Sequence, residues 1–478
     1  MEIGSNQMLD YSMFENKTIL HLGFDNTDSI LGKCTTHLAF KIISYLLKQT
    51  DARFIDYPLL IRLNPNIPWK TRGNGAVCIR LTTRYPENIT DYIINEIQTS
   101  SDIHNGANPG LVIHEDLEIP SSVRFFSDAA LYDVLTLNYA EKILRSEGIR
   151  WYKFGSGHGV IGALAAVGSL LGGDHTFEAI CYRNYENIGS LRLLSTQKVI
   201  RMDMATYPRT FNNFDYRRNR ILITPHGPDP VYCGIRGENP NVVSESLGLI
   251  DPPEALDGYV IFRTNQGTNM HLQKRLKLSE VKPYMAGYLR GTISKAPKVI
   301  PGGHVFFEVV DTVGDNFPVA VYAPTGLGGI TSKLMIGDTV DIGFGVRNRH
   351  DNLSSILNLE YISILSTKSI ISFGNPICKV CQIRMKSEGK NKGYQCDRCK
   401  NKTFDKSVVT IKRDLSPGIH LPEVGSHRHL TKPLQRFGRE NSCPYIFGLF
   451  RELSKNWFGD ARFCNSILNK RSINVAGG

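Results

Sequence analysis

Nowhere in this chain do apolar residues run on for the roughly 18 positions that a membrane-spanning helix needs. The nearest approach, Val160–Leu171, is interrupted by glycine and rich in alanine, which predicts a buried helix and no membrane partner. The first sixteen residues, MEIGSNQMLDYSMFEN, lack a basic start and a continuous apolar core, so 1–16 reads as a loose tail and not as a signal peptide. Cysteine gives no disulfide framework either. Six of the ten, Cys34, Cys78, Cys181, Cys233, Cys443 and Cys464, are scattered singly, which predicts a reducing compartment and a cytoplasmic protein. Acidic residues are in deficit: 45 Asp and Glu against 56 Lys and Arg leave a net charge of +11, which favours a polyanionic partner. A P-loop is also missing. Gly32-Lys33-Cys34-Thr35 ends like one, but eight residues separate Gly23 from Gly32 where the motif has four, and a thiol takes the hydroxyl position.

What the 478 residues do hold is enough apolar content, 41%, for three or four modules with their own cores. They are organised around His21–His37, HLGFDNTDSILGKCTTH. Ile19–Phe24 reads as a short apolar strand, and Leu38, Ile42, Tyr45 and Leu46 recur at helical spacing after it. The stretch between is a strand-to-helix turn with carboxylates Asp25 and Asp28 at the strand end and hydroxyls Thr35 and Thr36 at the helix start. A helix N-terminus offers unpaired N–H groups to a phosphate, and carboxylates beside a phosphate suit magnesium. A plain acidic turn with a Thr cap would carry the same residues.

Leu59–Leu81 supplies two strands flanking a loop of donors. Arg62, Asn64, Asn66, Lys70, Thr71, Arg72 and Asn74 stand among prolines and glycines that pin the backbone, as a phosphate-binding loop requires. Ile89–Ile97 and Ser127–Glu147 read as helices, the second a long one, with a strand at Val112–Ile113 between them, so strand and helix alternate to a first boundary near residue 150. Gly157, Gly159 and Gly162 then match G-x-G-x-x-G, but no series of strand–helix–strand units follows, so a dinucleotide fold is set aside in favour of an anion-friendly helix start. Strands are expected at Thr176–Arg183, Phe211–Asp215, Arg220–Thr224 (buried) and Tyr259–Arg263, closing an α+β module near 275. Asp229, fixed between Pro228 and Pro230, is placed to grip a cation or merely to start a turn.

Helical periodicity ends at Lys282. Ala286–Ile293, His304–Thr312, Phe317–Tyr322, Thr339–Val346 and Leu359–Leu365 predict a five-stranded barrel, with the oligonucleotide-binding (OB) barrel the leading member. Cys378, Cys381, Cys396 and Cys399 form two CxxC pairs whose four thiolates fill a tetrahedral structural zinc site and leave no position open for chemistry. Lysine and arginine crowd this ribbon, with Tyr394 and Phe404 as stacking surfaces, which reads as a grip on RNA or DNA. GSHRHLTKPLQRFGR, at 425–439, adds cations to the same footprint or forms a solvated basic face.

Taken together, GFDNTDS with GKCTT, RLNPNIPWKTRGNGAV, GSGHGVIGALAA, HGPDPV with GIRGE, the four-Cys ribbon and RHLTKPL resemble the archaeal tRNA 2-agmatinylcytidine synthetase family, TiaS, over nearly the whole chain after residue 16. The resemblance implies a multidomain α+β protein: a kinase-like ATP-binding domain at 17–150, a ferredoxin-like domain at 151–275, an OB barrel at 276–367, a zinc ribbon at 368–412 and a basic C-terminal region at 413–478. It implies a ligase that uses ATP to activate carbon 2 of the wobble cytidine in CAU-anticodon isoleucine tRNA, so that agmatine displaces phosphate and the anticodon reads AUA. It implies a phosphoryl relay through Thr35, with ATP split to AMP and pyrophosphate. Magnesium falls to Asp25 and Asp28; Asn26, Thr36, Arg62, Asn64, Lys70, Arg72 and the three glycines fall to ATP; Asp229 falls to the agmatine cation. The sequence departs from the family at Asn26, where a second aspartate is usual, and at His37, where an aromatic is usual. Asn26 offers magnesium an oxygen without charge. Another ATP-dependent RNA kinase or ligase, or a single-strand nucleic-acid binding protein, would share several of these features.

Overall fold

The structure, a computed structural model, describes residues 16–70, 73–347, 355–441 and 453–461. Its organising strand β1 (Thr18–Asp25) leads into helix α1 (Thr35–Gln49). Next come β2 (Leu59–Arg62), β3 (Gly75–Thr83), α2 (Pro86–Ser100), β4 (Gly110–His114), α3 (Ser121–Ala129), α4 (Leu137–Ser146), β5 (Arg150–Lys153) and α5 (Gly159–Gly168). The expected long helix over Ser127–Glu147 is broken in two. Asp133 accepts the Val134 N–H at 2.7 Å, and Thr136 accepts from the Tyr139 N–H, so side chains there end one helix and cap the next.

A second set follows: β6 (Thr176–Arg183), α6 (Thr196–Thr206), β7 (Val231–Gly237), α7 (Pro240–Ile250) and β8 (Leu256–Thr264). Arg220–Thr224 is not the buried strand expected. Only Arg220 and Ile221 pair, with Asp215 and Phe214, because the prolines from 225 onward end any extension. Both sets share one sheet, in the order β5-β4-β1-β3-β2-β8-β6-β7, joined where β2 and β8 run parallel through Leu59–Arg263 and Leu60–Thr264. Alternation puts Leu20, Leu22 and Phe24 on one face with Leu38, Ile42, Ile43 and Leu46 of α1. The other face, with Ile61, Cys78 and Val112, is covered by α3, α4 and α5.

Five strands then close a barrel: β9 (Ala286–Val299), β10 (Val305–Asp311), β11 (Asn316–Val321), β12 (Thr339–Arg347) and β13 (Ile356–Ser366). β9 pairs with β10 and β12, β10 with β11, β12 with β13, and the parallel β11–β13 pair completes the circle, which is OB topology. Phe307, Phe317, Phe344 and Ile362 fill it. Ile370–Gly374 and Ser407–Ile411 pair as the stem of the ribbon, which has a small core of Cys378, Met385 and Cys396.

From the ribbon the chain returns along β14 (Gly418–His420), paired to β13, and runs back over the large sheet. Residues 425–439 are not a solvated basic face. Arg436 is wholly buried, bonded to Asp174 at 2.7 Å, Glu238 at 3.0 Å and the Gly267 carbonyl at 2.6 Å, and Lys432 is buried against Asp174 and Glu440. These cations fasten a strap to the acidic groups beneath it. A last strand, β15 (Phe458–Asp460), pairs with Gly258–Val260 of β8.

Candidate active site

The cavity of about 760 Å³ lies where β1, α1, β2, β6, β7 and the strap converge. Asp25, Asn26, Asp28, Thr35, Thr36, Arg62, Lys70 and Asp229 all line it, so eight residues singled out in the sequence meet in one space. The turn after β1 is shaped by Asn26, which takes a left-handed φ of 59° that asparagine tolerates well, and its N–H bonds Asp25 Oδ1 at 2.6 Å. Ser29 donates to Asp102 at 2.5 Å, anchoring the far side of the turn. Cys34 is extended, and α1 begins at Thr35 with no side-chain cap on its first amides. Thr35 and Thr36 are only 5% and 7% exposed, and both face the cavity.

Burial raises the Asp25 carboxyl to about 8; the Asn26 N–H opposes this, and the Asp28 charge adds to it. A buried carboxylate beside a second one is a donor set that a hard cation would satisfy. Arg62, Lys70, Arg236 and Arg428 line the same cavity, so carboxylates and cations share it. Lys70 Nζ bonds the Ile67 carbonyl at 2.8 Å, which holds its charge at the cavity edge. Asp229 is nearly buried, and its Oδ1 accepts from Arg192 at 3.2 Å and from the Val231 N–H at 3.0 Å. The proline-flanked loop and Arg192 together orient it.

Two expected site groups lie elsewhere. Asn64 is fully buried and its side chain is committed to backbone: Nδ2 donates to the Tyr284 carbonyl at 2.8 Å, and Oδ1 accepts the Asn66 N–H at 3.0 Å. It ties the first module to the barrel. Gly157, Gly159 and Gly162 do not line the cavity; Gly157 packs against the Lys153 side chain, and the other two lie behind Asp25. A Cβ on Gly162 would stand 2.0 Å from Asp25 Oδ2, and one on Gly159 2.5 Å from the Asp25 carbonyl oxygen, so these glycines let α5 press against the end of β1. Arg72 lies outside the described residues. His37 does the work of an aromatic, with its ring 5.2 Å from that of Tyr182 and stacked 6.1 Å from Phe40.

Residues not singled out beforehand complete the walls. Glu178 on β6 pairs with Arg236 at 3.1 Å and Arg62 at 3.8 Å, and the strap contributes His427, Arg428 and His429. A glutamate inside the apolar run TFEAICYR was the available signal for the first. Only the clustering of His and Arg in the strap pointed to the others.

Far from the cavity, the sulfurs of Cys378, Cys381, Cys396 and Cys399 lie within 4.8 Å of one another, and Cys378 and Cys399 are 3.4 Å apart. Sulfurs bound at about 2.3 Å around a tetrahedral zinc would be about 3.8 Å apart, so the cluster fits the ion. Among the described residues no helix is long and apolar enough to cross a membrane.

Family models match three stretches: the TiaS TCKD domain at 21–156, the TiaS FLD domain at 157–271 and the TiaS C-terminal zinc ribbon domain at 375–415. The isoleucine tRNA 2-agmatinylcytidine synthetase TiaS of Cenarchaeum symbiosum is 40% identical over 428 residues, covering 90% of this chain and 95% of that one. The chain belongs to the TiaS family. The TiaS of Methanosarcina mazei is 36% identical, over 88% of this chain and 98% of its own. A crystal structure of TiaS in complex with its isoleucine tRNA and ATP matches with a TM-score of 0.74 and 33% identity, over 91% of this chain and 100% of that one. A crystal structure of TiaS with the same tRNA, AMPCPP and agmatine matches at 0.73 and 32%, over 88% and 97%. TiaS proteins therefore share this fold across the large sheet, the barrel and the ribbon.

Proposed function

We propose that this chain joins agmatine to carbon 2 of the wobble cytidine in CAU-anticodon isoleucine tRNA, at the expense of ATP; its relatives are named as 2-agmatinylcytidine synthetases of an isoleucine tRNA. The observation that carries the reading is the meeting of Thr35, at the mouth of α1, with Asp25, Asp28, Arg62, Lys70 and Asp229 around one cavity. A carbonyl oxygen on the cytosine ring leaves poorly and a phosphate leaves well, which is why the amine needs ATP. In this reading Thr35 relays a phosphoryl group, Lys70 and Arg62 neutralise phosphate charge, and the α1 amides hold it. Asp25 and Asp28 are the proposed magnesium ligands, with Asn26 an uncharged neighbour; when bound, the ion would offset phosphate charge. Asp229, shared with Arg192, is the proposed anchor for the agmatine cation.

The barrel and the basic ribbon are proposed to hold the tRNA while the wobble base leaves its stack, a cost of a few kcal/mol. The proposed division is the one drawn from the sequence, with the ATP-binding unit, ferredoxin-like unit, barrel and ribbon in chain order, in a cytoplasmic protein. The test is to incubate the protein with ATP, agmatine, magnesium and CAU-anticodon isoleucine tRNA, digest the tRNA and weigh the wobble nucleoside. An agmatine adduct that requires all four components supports the function; an unmodified cytidine overturns it.

A further inference from the structure

His429 ends a chain of buried hydrogen bonds that fixes which of its nitrogens carries the proton. Glu178 is clamped by Arg236 and Arg62 and, as a carboxylate, only accepts. The fully buried Gln266 therefore turns its amide N–H groups toward Glu178, to which Nε2 is bonded, and leaves Oε1 for His429 Nδ1 at 3.0 Å. An amide oxygen cannot donate, so Nδ1 carries the proton and Nε2 keeps its lone pair. Nε2 has no hydrogen-bond partner among the described residues and lies 3.2 Å from where a Cβ on Gly73 would stand, at the cavity wall. The ring is held from behind by its own backbone, since the His429 carbonyl accepts the Gly267 N–H at 2.9 Å.

We propose that His429 Nε2 is the base that takes protons from the attacking amine of agmatine, with Glu178 and Gln266 as the positioning residues behind it. The proposal rests on the function given above. An alkylammonium has no lone pair until it loses a proton, and its ordinary pKa lies near 10, as for lysine, so it needs a base at neutral pH. The nitrogen sheds one proton before attack and a second as the N–C2 bond forms. The C2–O bond breaks and phosphate leaves with its electron pair, while His429 passes each proton in turn to solvent. Arg62 on β2 lowers the imidazole pKa well below its usual value, with burial next and Arg236 on β7 after that; Glu178 on β6 is the facing anion. A phosphate held against Arg62 would relieve the largest of these causes and bring the imidazole closer to neutrality, where a base works best.

The test compares wild type with His429→Asn, which keeps an amide donor for Gln266 and deletes the basic nitrogen. Two steps are read separately: phosphoryl transfer from γ-labelled ATP without agmatine, and agmatidine formation by mass spectrometry across pH 5–9. The expected result is transfer within twofold of wild type, agmatidine formation down about 100-fold at pH 7, and, in place of the wild-type plateau, a rate that climbs about tenfold per pH unit with the free amine. In His429→Ala, added imidazole should restore part of the second step only. Equal loss in both steps, an unaltered profile, or wild-type rates in His429→Asn would overturn the assignment. Failure of wild-type protein to make agmatidine is a different result, and it overturns the function itself.

Discussion

Thr27 Oγ1 donates to Thr35 Oγ1 at 3.0 Å, across a turn of eight residues. The bond aims the hydroxyl of the first residue of α1 from within the turn that carries Asp25 and Asp28, and leaves its own proton to be directed elsewhere. Thr35→Ala should therefore reduce product formation to background while tRNA affinity stays within about twofold. Thr35→Ser should retain activity, and Thr27→Ala should lower turnover by about tenfold through misplacement alone. Label transfer from ATP and filter binding, run on the same preparations, read the two properties apart; equal turnover by Thr35→Ala would remove the relay.

The Asp25 and Asp28 pair predicts a metal phenotype. Asp28→Asn removes one charge beside Asp25, so the magnesium concentration for half-maximal turnover should rise about tenfold or more, with a smaller change at saturating magnesium. Asp25→Asn should be more severe, because Asp25 is also pinned between Asn26 and α5. A magnesium titration at fixed ATP distinguishes these from a folding defect, and unchanged requirements in both variants would remove the carboxylates from metal binding.

Much of this arrangement was legible in the sequence, and the reasons are local. Asp25, Asp28, Thr35 and Thr36 are close along the chain, and a strand-to-helix turn is decided by short-range periodicity and punctuation. The four ribbon cysteines likewise announce themselves by spacing. What stayed hidden depended on contacts across the chain. Asn64 belongs to a donor-rich loop, yet its partner, the Tyr284 carbonyl, lies 220 residues away, so nothing nearby could say that it was structural. Gly159 and Gly162 serve close approach, but to the backbone and carboxylate of Asp25 rather than to a cavity they do not line. The strap differs most from its sequence: its cations read as part of a nucleic-acid footprint or as a solvated face because Asp174 and Glu238, their partners, are remote in the chain.

Zinc should matter for tRNA and not for the first chemical step. The ribbon core consists of little beyond Cys378, Met385 and Cys396, too small to hold without an ion. Cys378→Ser combined with Cys381→Ser should weaken tRNA binding by tenfold or more at fixed salt, while labelling of the protein by ATP without tRNA stays near wild type. Loss of both would place the cysteines in the folding of the large sheet instead.

Arg436 joins the strap to the sheet below it, and its removal leaves Glu238 without its ion-pair partner and Asp174 with Lys432 alone. Breaking a buried pair from one side costs about 3–5 kcal/mol. Arg436→Ala should thus lower the thermal midpoint by several degrees and, because the same strap carries His427, Arg428 and His429 to the cavity, depress turnover as well. Arg436→Lys should recover part of the stability, since a point charge replaces the two-sided fork without its geometry. Unchanged melting in Arg436→Ala would mean that the strap is held from its other contacts.

Glu360 makes the corresponding connection to the barrel, and its effect depends on pH. Burial acts to raise its pKa, but Arg428 at 3.1 Å and His271 at 2.9 Å outweigh burial and bring it from 4.5 down to about 2. A carboxyl whose folded pKa is depressed contributes stability that is present in full above 4.5 and is lost as pH falls toward 2. The contribution is on the order of 3 kcal/mol at neutral pH. Glu360→Gln should be less stable than wild type at pH 7, and the gap should narrow as pH falls from about 5.5 to 3.5, because the unfolded wild-type chain takes up a proton there and the variant does not. Urea melts of both proteins over that range check the sign. A gap that widens on acidification would show that Arg428 and His271 do not hold this carboxylate in its charged form, and that the strap meets the barrel by packing alone.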